Sequence, residues 1–197
     1  MCSSDLGIFL FPSHDKRSHT CVAATKFQYD YLNDDVKNDG SIDYSLSKKI
    51  PKELQQAIAD ANAKKKDAKK ILVLINPPYG ESGSSDTVSG AGRHKTEIAA
   101  TQIAASMNGF GYASRELFAH FLVRIQREIP NAVIAMFSTL KYVNAPNFQD
   151  FRKKWSPKYL GGFIVHSKSF DGLKGNFPIA FLIWDTSKYG KQPDLIS

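Results

Sequence analysis

The sequence predicts an α/β fold: a mostly parallel sheet with covering helices and an antiparallel last strand. Three observations predict it. Short apolar runs of strand length alternate with segments of helical period, the order that builds parallel sheets. The last two runs, residues 162–165 and 178–184, are joined through Asp171-Gly172-Leu173-Lys174-Gly175. That link is too short for a helical crossover, so the final strand should reverse. The 197 residues are 42% apolar and 23% charged, which suits one domain with a sizeable core.

Each element has its own signal. Residues 7–12 (Gly-Ile-Phe-Leu-Phe-Pro) read as a buried strand ending at proline. Residues 24–32 alternate and are rich in aromatics, and read as a second strand. Asn33-Asp34-Asp35 and Asn38-Asp39-Gly40 then signal turns. Residues 51–70 read as a helix, with Pro51 in its first turn and Leu54, Ile58 and Ala61 in period. Residues 71–75 (Ile-Leu-Val-Leu-Ile) are a strand. The Gly- and Ser-rich stretch to about Gly92 reads as a mobile loop, and residues 96–107 as a helix. Residues 114–128 read as a stronger helix, with Ser114 as N-cap and Leu117, Phe118, Phe121, Leu122 and Ile125 on one face. His120 is expected off that face. Residues 132–137 are a strand, and residues 147–155 an amphipathic helix stopped by Pro157.

Composition narrows the function classes. The net charge of +7 favours a polyanionic partner such as nucleic acid. Lysines 64, 65, 66, 69 and 70 supply much of the excess, and read first as a solvated helix face. No apolar run approaches the roughly 20 residues that span a bilayer, so no membrane partner is expected. Cys2 and Cys21 have no metal or disulfide spacing, which fits a reduced, cytoplasmic setting. The five histidines are scattered, so no metal is expected. Residues 1–6 lack the pattern of a secretory signal and resemble a translated sequencing-adapter stretch, and are expected to be foreign to the gene.

The most informative residues are Asn76-Pro77-Pro78-Tyr79, directly after the 71–75 strand. Two prolines force a fixed, extended exit from a sheet. That exit presets the Asn76 carboxamide oxygen and the Pro77 carbonyl as acceptors, with the flat Tyr79 ring beside them. Such a set can hold a planar, amine-bearing substrate.

Asn-Pro-Pro-Tyr after an apolar strand resembles the catalytic motif of amino-group methyltransferases that use S-adenosylmethionine, of which the adenine-specific DNA methyltransferases are the largest group. The resemblance covers roughly residues 7–188 and implies a Rossmann-like methyltransferase sheet lacking its first strand and its Gly-rich cofactor loop. Residues 7–188 would then be a partial catalytic domain and 189–197 a tail or the start of another domain. The resemblance implies catalytic roles for Asn76, Pro77, Pro78 and Tyr79. It implies that Asp30, with Tyr31, accepts from the cofactor's adenine amine, and that Phe121 packs on that adenine. It implies that Tyr79 and Phe170 clamp a flipped-out base; Phe177 is a rival to Phe170. The blander readings are a turn-ordering aspartate for Asp30 and core packing for Phe121.

The activity implied is methyl transfer from S-adenosylmethionine to the exocyclic amine of adenine in DNA, as in restriction-modification systems, by a fragment inactive alone. Two alternatives stay open: a protein-glutamine or RNA methyltransferase, and a non-catalytic nucleic-acid-binding fragment or subunit.

Overall fold

The computed structural model describes residues 5–11, 27–68, 70–77, 101–169 and 176–189. Five strands, β1 (Asp5–Phe11), β2 (Lys70–Asn76), β3 (Ala132–Ser138), β4 (Pro157–His166) and β5 (Pro178–Tyr189), form one sheet in the order β1-β2-β3-β5-β4. Only β2 and β3 pair in parallel, with Ile71 opposite Ala132 and Ile75 opposite Met136. β1 runs antiparallel to β2, and β5 runs antiparallel to both β3 and β4.

This corrects the expected mostly parallel, Rossmann-like methyltransferase sheet. The last strand does reverse, as its short connection requires. It inserts between β3 and β4 instead of adding at an edge, so one reversed strand makes two antiparallel pairings. β1 adds a third at the other side. It also begins at Asp5, inside the segment read as foreign.

The helices are α1 (Lys52–Asn62), α2 (Leu117–Glu128), α3 (Lys141–Asn144) and α4 (Gln149–Lys154), with 3-10 turns at Gln102–Met107, Gly111–Arg115, Pro146–Phe148 and Ser167–Ser169. Several differ from expectation for local reasons. α1 stops at Asn62 because Lys64 takes a left-handed conformation (φ 52°), which a helix does not continue through. Lysines 64, 65 and 66 are therefore exposed beyond the helix, not along its face, and Lys65 pairs with Asp60 at 2.7 Å. Ser114 is not the N-cap of α2. Its hydroxyl turns back to donate to the Gly111 carbonyl at 2.8 Å, and Glu116 takes the cap position. Residues 27–32 are not a strand: 27–30 are irregular and 31–35 are turns, while 24–26 lie outside the described residues. Of the expected 96–107 helix, only a 3-10 turn from Gln102 is described.

The core lies on one face of the sheet. Ile71, Val73, Ile75, Ile134, Met136, Leu182 and Trp184 alternate with exposed or half-buried neighbours and meet the apolar faces of α1 and α2. Tyr142, Phe151, Trp155 and Trp184 interlock edge-to-face and stacked, with centroids 5.3 to 6.4 Å apart. The Trp184 indole N–H donates to the Tyr142 hydroxyl at 3.1 Å, so its one polar atom is paired inside the core. The other face carries Leu74, Phe137, Phe163 and Phe181, with Phe163 52% exposed. Among the described residues no helix is long and apolar enough to cross a membrane.

Candidate functional site

β2 alternates buried Ile71, Val73 and Ile75 with more exposed neighbours, and closes on exposed Asn76. Pro77 follows and is buried. Having no N–H, it ends the hydrogen-bonded ladder at this point. Pro78 and Tyr79 lie outside the described residues, as does Phe170. Because β2 and β3 are parallel, their carboxyl ends are neighbours. The register that sets Ile75 beside Met136 carries Asn76 to Phe137 and Pro77 to Ser138. β5 runs the other way, so its start joins the same end, with Ala180 beside Ser138 and Pro178 beside His166. Phe177 precedes Pro178 here, and its N–H donates to the Ser167 hydroxyl at 3.3 Å.

Two hydroxyls at this end are unusual. Ser138 is fully buried, and neither its Oγ nor the Thr139 Oγ1 has a hydrogen-bond partner among the described residues. Leaving one buried hydroxyl unpaired costs about 1–3 kcal/mol. The opposite end of the sheet shows the usual arrangement. Buried Thr186 donates to the Ala132 carbonyl and accepts from the Ala132 N–H, both at 2.9 Å. Sequence reading missed Ser138 and Thr139, although their place just after an apolar strand beside the motif strand was visible.

Asp30, Tyr31 and Phe121 form a different group. Asp30 is exposed, and its carboxylate is used by its own turn. It accepts from the Leu32 N–H at 3.2 Å and the Asn33 side-chain amide at 2.8 Å. Tyr31 and Phe121 are buried, 3% and 2% exposed, and stack on each other with centroids 5.8 Å apart and planes 18° apart. A nucleobase would have to displace one of these rings. As placed, the three residues do not fit the adenine of S-adenosylmethionine. No printed contact joins them to Asn76 or Pro77 among the described residues.

What fixes that group is a buried ion pair that sequence reading also missed. Arg124, fully buried in α2, donates from Nε to Glu128 Oε2 at 3.1 Å. Its Nη1 donates to the carbonyls of Tyr31 and Asp34, and its Nη2 donates to the Tyr29 hydroxyl at 2.6 Å. The guanidinium lies 4.3 Å from the Tyr31 ring centre. Tyr44 donates to the other Glu128 oxygen at 2.7 Å. Burial raises the Tyr29, Tyr31 and Tyr44 hydroxyls above the ordinary phenol range, and the Glu128 charge adds to this, so all three stay neutral. The available signal was Arg124 and Glu128 at i,i+4 spacing beside the apolar positions of α2.

No family model, curated protein or solved structure matches this chain. Its kinship therefore rests on its own residues, and Asn76 and Pro77 carry the argument. A cleft of about 830 Å³ between α1 and residues 40–44, lined by Lys52, Gln55 and Arg127 among others, does not include them. Among the described residues no group of three or more His, Cys, Asp or Glu could hold a metal ion.

His120 corrects an expectation: it is buried, not off the apolar face. Its Nε2 lies 2.8 Å from the Ser114 carbonyl, which only accepts, so Nε2 carries the proton and Nδ1 can accept from the Thr101 hydroxyl at 3.2 Å. Burial lowers its pKa below the ordinary 6.5, only partly offset by the Ser114 bond. The unfolded chain then binds the proton more readily than the folded one. The stability linked to His120 is full above 6.5 and is lost as pH falls through the lowered folded value. Melts between pH 7.5 and 5 should show this fall, and His120→Gln should flatten it; an equal slope in both proteins would remove His120 as its source.

Proposed function

We propose that the carboxyl end of β2 holds an exocyclic amine for methyl transfer, and that the chain carries the catalytic part of an adenine-specific DNA methyltransferase, with S-adenosylmethionine as donor and DNA as partner. One observation carries this reading: exposed Asn76 closes β2 and is followed at once by buried Pro77, beside the end of a parallel neighbour. An aromatic amine is a poor nucleophile because its lone pair is spread into the ring. As it is methylated, the nitrogen becomes tetrahedral and gains positive charge. The Asn76 side-chain oxygen and the Pro77 carbonyl, accepting from its two hydrogens, favour that state over the planar ground state. A strand end and a proline set both acceptors in advance, so little reorganisation is needed. The net charge of +7 supports a polyanionic substrate. Tritium from labelled S-adenosylmethionine is expected in the adenines of plasmid DNA. Label in a release factor or in transfer RNA instead would replace the substrate.

The Tyr31–Phe121 stack favours a second reading, a nucleic-acid-binding subunit that depends on a partner for its donor site. Calorimetric titration with S-adenosylmethionine separates the two. Micromolar binding by the chain alone supports the enzyme reading, and its absence supports the subunit.

A further inference from the structure

We propose that Ser138 and Thr139 are specificity residues that donate to the ring nitrogen flanking the target amine, so that the site reads the amidine edge of a nucleobase. This rests on the reading of Asn76 and Pro77 as acceptors for that amine.

The argument begins with the unpaired hydroxyls. Buried polar groups are nearly always paired, and one that is not needs an explanation. Here two consecutive residues, one of them fully buried, are unpaired among the described residues. They lie at the end of β3, and the parallel register sets Ser138 next to Pro77. The sheet is able to satisfy such groups, because Thr186 at its other end is fully bonded. The unpaired pair therefore coincides with the one strand end where a ligand is expected on separate grounds.

The chemistry of the two sets is complementary. Asn76 and Pro77 offer acceptors, which suit the two hydrogens of an amine. A hydroxyl can donate as well. In adenine, and in cytosine, the amine sits beside a ring nitrogen that can only accept. Two acceptors and an adjacent donor match that edge. A glutamine carboxamide also sets an acceptor beside its amine, but the charge of +7 favours nucleic acid. Phe177, at the same end of the sheet, offers a flat surface for a ring.

The test compares two single-stranded DNA oligonucleotides, one with a single adenine and one with 1-deazaadenine, which lacks that ring nitrogen and keeps the amine. Binding to the full chain is read by fluorescence anisotropy. The wild-type chain should prefer adenine by about tenfold, ~1.4 kcal/mol. Ser138→Ala combined with Thr139→Val should bring the preference to about one. Asn76→Ala should weaken both oligonucleotides alike and keep the ratio. Equal binding by the wild type, or an unchanged ratio in the double variant, overturns the role of the hydroxyls. If Asn76→Ala still weakens both oligonucleotides in that case, the amine site stands; if it changes neither, that reading fails as well. Tighter binding of a glutamine peptide than of the adenine oligonucleotide overturns the nucleobase. Thermal melting adds a separate readout: Ser138→Ala should melt at or above the wild type, because it removes an unpaired hydroxyl. A clear fall in melting temperature would mean that Ser138 is bonded within the fold, and would overturn the proposal.

Discussion

Arg124→Met is expected to cost about 3–5 kcal/mol of folding stability, the loss typical of breaking a buried ion pair from one side. The substitution leaves Glu128, which is buried, without its cation, and strands the Tyr31 and Asp34 carbonyls that Arg124 serves. Much of the segment from Tyr29 to Ser47 depends on the same contacts. Tyr29 links Arg124 to Asp35, and Asp35 holds the Ser47 N–H and hydroxyl at 2.6 and 2.7 Å. With total stabilities of about 5–15 kcal/mol for a domain, the loss is a large share. The double variant Arg124→Met/Glu128→Leu should recover part of it, because no charge is then left unpaired. It should not recover all, because the two carbonyls stay unserved. Urea denaturation of the wild type and both variants measures this. A loss below about 1 kcal/mol in the single variant would show that the network contributes little.

The same network explains why part of the fold was hidden in the sequence. Period and alternation are local, and they located β2, β3, the body of α1 and most of α2. They also located the reversal of the last strand. Where a reversed strand inserts is decided by pairing across the whole sheet, and no local pattern in residues 178–184 distinguishes an edge from a slot between β3 and β4. Residues 27–32 alternate like a strand, but Arg124 captures their carbonyls and turns them onto α2. Tertiary contacts overrode the propensity. His120 was misplaced for a related reason: its polarity argued for solvent, while Ser114 and Thr101 satisfy it inside.

The candidate site divides along the same line. Asn76 and Pro77 were legible because covalent chemistry, a strand followed by prolines, sets them locally. Ser138 and Thr139 were not, since their interest lies in lacking partners among the described residues, which only a fold can show. Tyr31 and Phe121 show the converse. Their flat rings suited an adenine on paper, yet aromatic residues at such spacing more readily find each other, and here they do.

Asn76→Ala is expected to lower methyl transfer to DNA by about 10²- to 10³-fold, the loss seen when one preset group that meets developing charge is removed. The fold should hardly change, because Asn76 is exposed at the end of β2 and such positions usually tolerate substitution within about 0.5 kcal/mol. The Pro77 carbonyl remains, so the amine still has one acceptor and affinity should fall less than turnover. That split matters. An acceptor that grips the planar amine and the tetrahedral state equally would weaken binding alone, whereas one that favours the tetrahedral state must lower kcat. Asn76→Asp sharpens the test, since it keeps an acceptor oxygen and adds negative charge beside a nitrogen that becomes positive. It should retain more turnover than alanine. Tritium transfer to plasmid DNA and affinity for an adenine oligonucleotide, measured on the same three proteins, give both numbers. If alanine and aspartate match the wild type in both, Asn76 has no part in holding the amine, and the end of β2 is a rigid turn and nothing more.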